Sequence, residues 1–132
     1  MTTTGCEPAV VIVDHGEFQA RLADLFTHAG VPAAQAAGIA EILVLADLRG
    51  VESHGANFAP RYLRGIARGE LNPDPKLKVV GGRGAAAVLD ADNGLGFVAA
   101  RAAMELAVEL AGDHAVGAVT VRNSNHFGMA GF

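Results

Sequence analysis

Apolar residues along the chain recur first at helical intervals and later in short runs, and the change of period divides the sequence. Phe18, Leu22, Leu25, Phe26 and Ala29 return every three or four positions, which predicts one apolar helix face. Asp14 is placed as its N-cap with Glu17 three residues on, a capping-box variant, and Gly30 is placed to stop it. Pro32 suits the first turn of a second helix reaching about Leu48. That segment is apolar almost all round, with Gln35, Glu41 and Asp47 as the main exceptions, so burial is expected. A third helix is predicted from His54 to about Arg68, with Phe58, Tyr62 and Ile66 on one face.

Asn72-Pro73-Asp74-Pro75 breaks the helical pattern, because prolines two apart cannot sit in a helix interior. Leu77–Val80 and Ala85–Leu89 then read as two short strands around a Gly81-Gly82-Arg83-Gly84 turn. A long helix is expected from Gly96 to about Ala111, with Arg101, Glu105 and Glu109 as one polar stripe. Ala115–Val121 reads as a buried strand leading into Asn123-Ser124-Asn125-His126-Phe127-Gly128. The order is three helices and then β-β-α-β, a mixed α/β layout. It divides at 1–75, an N-terminal helical region, and 76–132, the start of a second α/β domain.

Composition narrows the classes. The 132 residues suffice for a core of their own, and 51% are hydrophobic, which argues against a disordered chain. A net charge of −4 gives no nucleic-acid footprint. Cys6 is the single cysteine, so no intrachain disulfide framework or cysteine zinc site is expected. The first fifteen residues hold no Lys or Arg, and the apolar run Ala9–Val13 is too short for a signal peptide or a membrane span. The expectation is a soluble, cytoplasmic protein.

Several residues suggest chemistry. Gly94-Leu95-Gly96-Phe97-Val98-Ala99 matches G-x-G-x-x-A between a strand and a helix, which could cradle a pyrophosphate. Asp90 and Asp92 crowd that turn with negative charge, and no acid ends the next strand, so a plain strand-to-helix turn is the preferred reading. In Glu52-Ser53-His54-Gly55 the serine either bonds the imidazole or caps the following helix. An imidazole titrates near neutrality, which makes it the usual general acid or base. His126 is either a structural loop histidine or a second proton-transfer group, and Gly128 and Gly131 suit a loop that approaches another backbone or a cofactor. His15, His28 and His114 read as surface residues. His54 and His126 show neither the spacing nor the acidic partner of a zinc helix, so no metal is expected. Arg61, Arg64 and Arg68 form a basic stripe, solvated by default; Arg61 is the best placed to grip a carboxylate.

Asp47-Leu48-Arg49-Gly50-Val51-Glu52-Ser53-His54-Gly55, then Tyr62, Gly69 and Asn72-Pro73, resembles the type 2 malate/lactate dehydrogenase family. That family includes sulfolactate and ureidoglycolate dehydrogenases and cyclic imino acid reductases. Asp90, Gly94, Gly96 and Ala103-Met104 continue the pattern, and Val121-Arg122-Asn123-Ser124-Asn125-His126-Phe127-Gly128 closes it. The resemblance runs from about Phe18 to Phe132. It implies a non-Rossmann, NAD- or NADP-dependent oxidoreductase that moves hydride between the nicotinamide and a 2-hydroxy/2-oxo or imino acid, as a homodimer.

By the same resemblance, Ser53 and His54 match the proton-transfer segment. His126, Phe127, Gly128, Met129 and Ala130 match the loop that contacts the cofactor, with His126 also an acid/base in some members. Many members carry an arginine four residues after the first histidine; here that position is Phe58, and Arg61 stands as the substitute for substrate binding. Members are also considerably longer. Two other readings stay open: a truncated paralogue, catalytically incompetent and acting as a folding or interaction module, and a metal-dependent hydrolase or lyase.

Overall fold

Helix α1, His15–His28, begins where Asp14 accepts a hydrogen bond from the Glu17 N–H at 2.9 Å, while the Glu17 carboxylate turns to Arg21 at 2.8 Å. It ends at Gly30, whose φ of +96° lets the Val31 N–H reach back to the Phe26 carbonyl at 3.1 Å. The computed structural model describes residues 11–129, so Cys6, Ala130 and Gly131 lie outside the described residues. Pro32 stands just before α2, Ala33–Leu48, rather than in its first turn. This helix is buried on several sides, as its apolar sequence predicts, because α1 packs on it from one direction and a later helix from another.

The expected long third helix is interrupted. Two 3-10 turns, Glu52–His54 and Ala56–Phe58, flank an extended Gly55, and α3 covers only Ala59–Ala67. The cause is Asp47, whose carboxylate accepts the Ala56 N–H at 2.9 Å and occupies the space that a Cβ on Gly55 would need. Pro60 then suits the first turn of α3. His54 therefore sits in a tight turn and Ser53 caps no helix.

Strand β1, Lys78–Arg83, runs antiparallel to β2, Ala86–Gly94, and β2 runs parallel to β3, Ala118–Ser124, in the sheet order β1-β2-β3. The hairpin turn is Gly84-Ala85, not the four residues expected from Gly81. Gly82 belongs to the strand, at φ +142°, where a Cβ would overlap the Ala86 carbonyl across the pair. Helix α4, Gly96–His114, connects β2 to β3 and ends at Ala115 in the left-handed region. This turn delays β3 to Ala118.

Ala87, Leu89 and Ala91 are buried on one face of β2, and their register partners Val119 and Val121 are half-buried on the same face. Ala118, Thr120 and Arg122 on the other face are exposed, so β3 is not the buried strand its apolar run predicts. It is a sheet edge with a helix on one face among the described residues. No described helix is long and apolar enough to cross a membrane.

One core joins these parts. Leu22 and Phe26 of α1, Ile39 and Leu43 of α2, and Tyr62 of α3 cluster with Leu95 and Phe97 at the start of α4. Each large side chain buried there contributes about 1.5–3 kcal/mol. Where β2 gives way to α4, a Cβ on Gly96 would collide with the Asn125 carbonyl oxygen and stand 2.7 Å from the His126 carbonyl carbon. The chain past β3 therefore lies directly on the start of α4, and only glycine permits it. Gly96→Ala is expected to lower stability by about 1–3 kcal/mol through overpacking. Gly112→Ala, on an open helix surface, is expected to be neutral or to raise stability by up to about 1 kcal/mol. Chemical denaturation of both variants checks the contrast; equal effects would contradict it.

Candidate active site

The turn that follows β3 is held by carboxylates and amides of the β2 end. Asp90 accepts from Arg122 Nε at 2.8 Å, from Asn123 Nδ2 at 3.2 Å and from the Asp92 N–H at 3.0 Å. These donors, the Asp92 N–H first, hold the Asp90 carboxyl below the usual carboxylate range. Asp92 accepts from Asn72 Nδ2 at 2.9 Å and from the Lys76 N–H at 3.0 Å. Asn125 donates from Nδ2 to the Gly94 carbonyl at 3.0 Å and to the Asn93 carbonyl at 3.1 Å. The acids that crowd the Gly94 turn are thus structural acceptors, and the backbone of Asn125 and His126 covers the α4 N-terminus where a Rossmann pyrophosphate would lie.

This scaffold brings His126 to the helical half of the chain. Its ring centroid is 5.4 Å from that of His54, and the Tyr62 hydroxyl lies 2.7 Å from His126 Nδ1. The Gly128 N–H donates to the same nitrogen at 3.3 Å. An N–H can only donate, so Nδ1 presents its lone pair, Tyr62 donates to it, and the ring proton sits on Nε2. Burial pushes the Tyr62 hydroxyl above the usual phenol value, which keeps that proton in place. Tyr62 is itself fixed by an edge-to-face contact with Phe97 at 5.3 Å.

Electrostatics favour the same state. Burial first, and then the nearby charges of His54 and Arg61, lower the His126 pKa from its ordinary value. Protonation of His126 therefore costs more in the folded state. Its share of stability is lost as pH falls from about 6.5 through the lowered value. On His54, Ser53 Oγ engages Nδ1 at 2.9 Å. Both rings thus keep Nε2 as their remaining nitrogen.

The structure brings together Ser53, His54, His126 and Arg61. The Arg61 guanidinium lies 6.0 Å from the Phe58 ring, and Arg61 lines a cavity of about 230 Å³ with Tyr62, Asn125 and His126. Arg64 and Arg68 are exposed, the latter 3.8 Å from Glu70. His15, His28 and His114 are exposed at helix ends. Phe127 is 47% exposed and stacks on His126 at 6.2 Å. Gly128, at φ +77°, is buried, and a Cβ there would meet Phe97 and Ile42. Among the described residues no cluster of three or more His, Cys, Asp or Glu could hold a metal ion.

Tyr62 as the partner of His126 was not legible as such in the sequence, nor was Asn125 as the clamp. The signal available was that Tyr62 is the only tyrosine, lying on an apolar face.

A family model described as malate/L-lactate dehydrogenase matches residues 13–132. The malate dehydrogenase of Pyrococcus horikoshii is 45% identical over 108 residues, 82% of this chain and 30% of that protein. The L-sulfolactate dehydrogenase of Methanocaldococcus jannaschii is 44% identical over 109 residues, 83% of this chain and 32% of that protein. The solved structure of the first superposes with a TM-score of 0.89 at 41% identity, covering 92% of this chain and 35% of that one. The solved sulfolactate dehydrogenase gives 0.88 at 40%, with the same coverage. The chain spans about a third of the length of these relatives.

Tyr62→Phe removes the 2.7 Å bond that favours neutral His126, so the His126 pKa is expected to rise toward its ordinary value. Proton NMR titration of the ring checks this; an unchanged or lower value would contradict it.

Proposed function

Because the chain belongs to the malate/L-lactate dehydrogenase family, we propose that the protein reduces a 2-oxo acid, or the related imino acid, to its 2-hydroxy or amino counterpart with a nicotinamide cofactor. The fold is the mixed α/β, non-Rossmann one of that family. The observation that carries the reading is the His54–His126 pair at 5.4 Å, each ring with Nδ1 engaged, beside the Arg61 cation.

The residues fit the ring end of such a cofactor. Phe127 and His126 offer a stacked planar surface, and the Nε2–H of His126 offers a donor suited to a carboxamide or carbonyl oxygen. In this reading His126, Phe127, Gly128 and Met129, with Ala130 beyond the described residues, hold the nicotinamide side. NAD and NADP fit this description equally. Residues 1–75 supply the substrate-side groups and 76–132 begin the cofactor side. A bound reduced nicotinamide supplies hydride to the substrate carbon.

The chain's own residues manage the rest. Arg61 holds the substrate carboxylate through its planar fork. His54, steadied by Ser53 at Nδ1, gives a proton from Nε2 to the substrate oxygen or nitrogen as negative charge develops there. His126 stays neutral, because burial first and then the nearby His54 and Arg61 disfavour its protonation, and donates from Nε2 without giving up its proton. His54 then regains a proton from solvent. When one of the two imidazoles is protonated, the surroundings of His126 make it the neutral partner. A homodimer and a cytoplasmic setting agree with this reading.

The protein in its natural length is expected to oxidise NADH or NADPH with oxaloacetate or pyruvate as 2-oxo acid probes. His54→Ala should lower kcat by about 10²–10⁴-fold. His126→Ala should lower kcat/KM and abolish the acid side of any bell-shaped pH profile that depends on its neutral form. Wild-type-like turnover in both variants would overturn the assignment.

A further inference from the structure

Phe58 ends the second 3-10 turn, half-buried, immediately before α3. Its ring stacks on His126 with centroids 5.9 Å apart and planes 24° from parallel. The Arg61 guanidinium lies 6.0 Å from the centre of the same ring. Phe58 and Arg61 are three positions apart, the interval that puts side chains on one side of a helical turn. Among the described residues Arg61 makes no ion pair, so the aromatic ring is what locates its charge while the guanidinium fork stays available for an anion. Phe58 also packs against the core beside Tyr62, at 6.2 Å, which fixes the ring itself.

We propose that Phe58 is a positioning residue that sets the spacing between the His126 imidazole and the Arg61 guanidinium, and so where a substrate held by its carboxylate at Arg61 presents its carbonyl or imine carbon to the groups beside His126. The catalytic part of this inference rests on the function proposed above. The bland role for Phe58 is apolar filling, which an aliphatic side chain of similar volume would also perform. Only an aromatic face gives both the stack on an imidazole and the attraction for a guanidinium. One ring therefore couples two groups that belong to different parts of the chain, α3 and the turn after β3. A change of face without a change of volume should loosen both at once.

The test compares Phe58→Leu and Phe58→Tyr in the protein at its natural length, with Phe58→Met replacing the leucine variant if that does not fold. Phe58→Leu is expected to raise KM for oxaloacetate or pyruvate about threefold to tenfold, as loss of a cation–π contact and a stacked pair implies. It should also lower kcat about tenfold through misplacement of the reacting groups. The His126 ring protons should shift in NMR as the ring current is lost, and Arg61 Nε–H exchange should quicken. Phe58→Tyr should restore all of these.

Unmoved KM, kcat and His126 signals in Phe58→Leu would overturn the proposal, as would equal damage from tyrosine. If the wild-type protein turns over none of the 2-oxo acids with either nicotinamide, the proposed function fails, and the NMR arm alone decides on Phe58. Unchanged His126 and Arg61 signals then reject it, and shifted signals restored by tyrosine uphold the coupling.

Discussion

The hydrogen bond from the Tyr62 hydroxyl to His126 Nδ1, at 2.7 Å, ties the helical half of the chain to the β-α-β half at the point where chemistry is expected. Its two residues are 64 positions apart, so neither element alone creates the site. Tyr62 is held by the core through Phe97, and His126 is held by Asn125 and by the close approach to Gly96. A bond of this kind is worth about 1 kcal/mol to stability, yet it fixes the tautomer and orientation of the ring, which matter more to function than to folding.

The surrounding structure can be understood as support for that contact. Asp90 and Asp92 spend their charge on the backbone and side chains of the segments flanking the turn. Asp47 plays a similar part on the other side, where it breaks what would otherwise be one long helix and leaves His54 in a tight turn. Two carboxylate-organised turns thus face each other. The centroids of the imidazoles they carry are 5.4 Å apart. Two cations at that distance repel, so protonation of both histidines at once is disfavoured.

Much of the fold was legible from periodicity. The α1 cap at Asp14, the stop at Gly30, the burial of α2 and the β-β-α-β order all follow from local rules that tertiary contacts do not override. Three features were not legible, because each depends on how neighbouring segments pack rather than on the local pattern. Gly55 breaks α3 because Asp47 reaches over it, Gly82 stays in a strand because Ala86 passes close by, and β3 is exposed because it lies at a sheet edge. The candidate residues Ser53, His54, Arg61 and His126 stand out by type and motif, and the structure sets His54 within 5.4 Å of His126 and both Arg61 and His126 beside Phe58. The tautomer of His126 depends on hydrogen bonds from Tyr62 and Gly128 that no spacing rule contains. The G-x-G-x-x-A match shows the converse, since its glycines serve backbone packing.

The central claim is that His126 is a neutral imidazole carrying its proton on Nε2. Long-range proton–nitrogen NMR correlation of the histidine rings tests this most directly, because it distinguishes the two neutral tautomers and the cation. At neutral pH the account predicts a bare, hydrogen-bonded Nδ1 and a protonated Nε2 for His126. A protonated Nδ1, whether as the other tautomer or as the imidazolium, would contradict it.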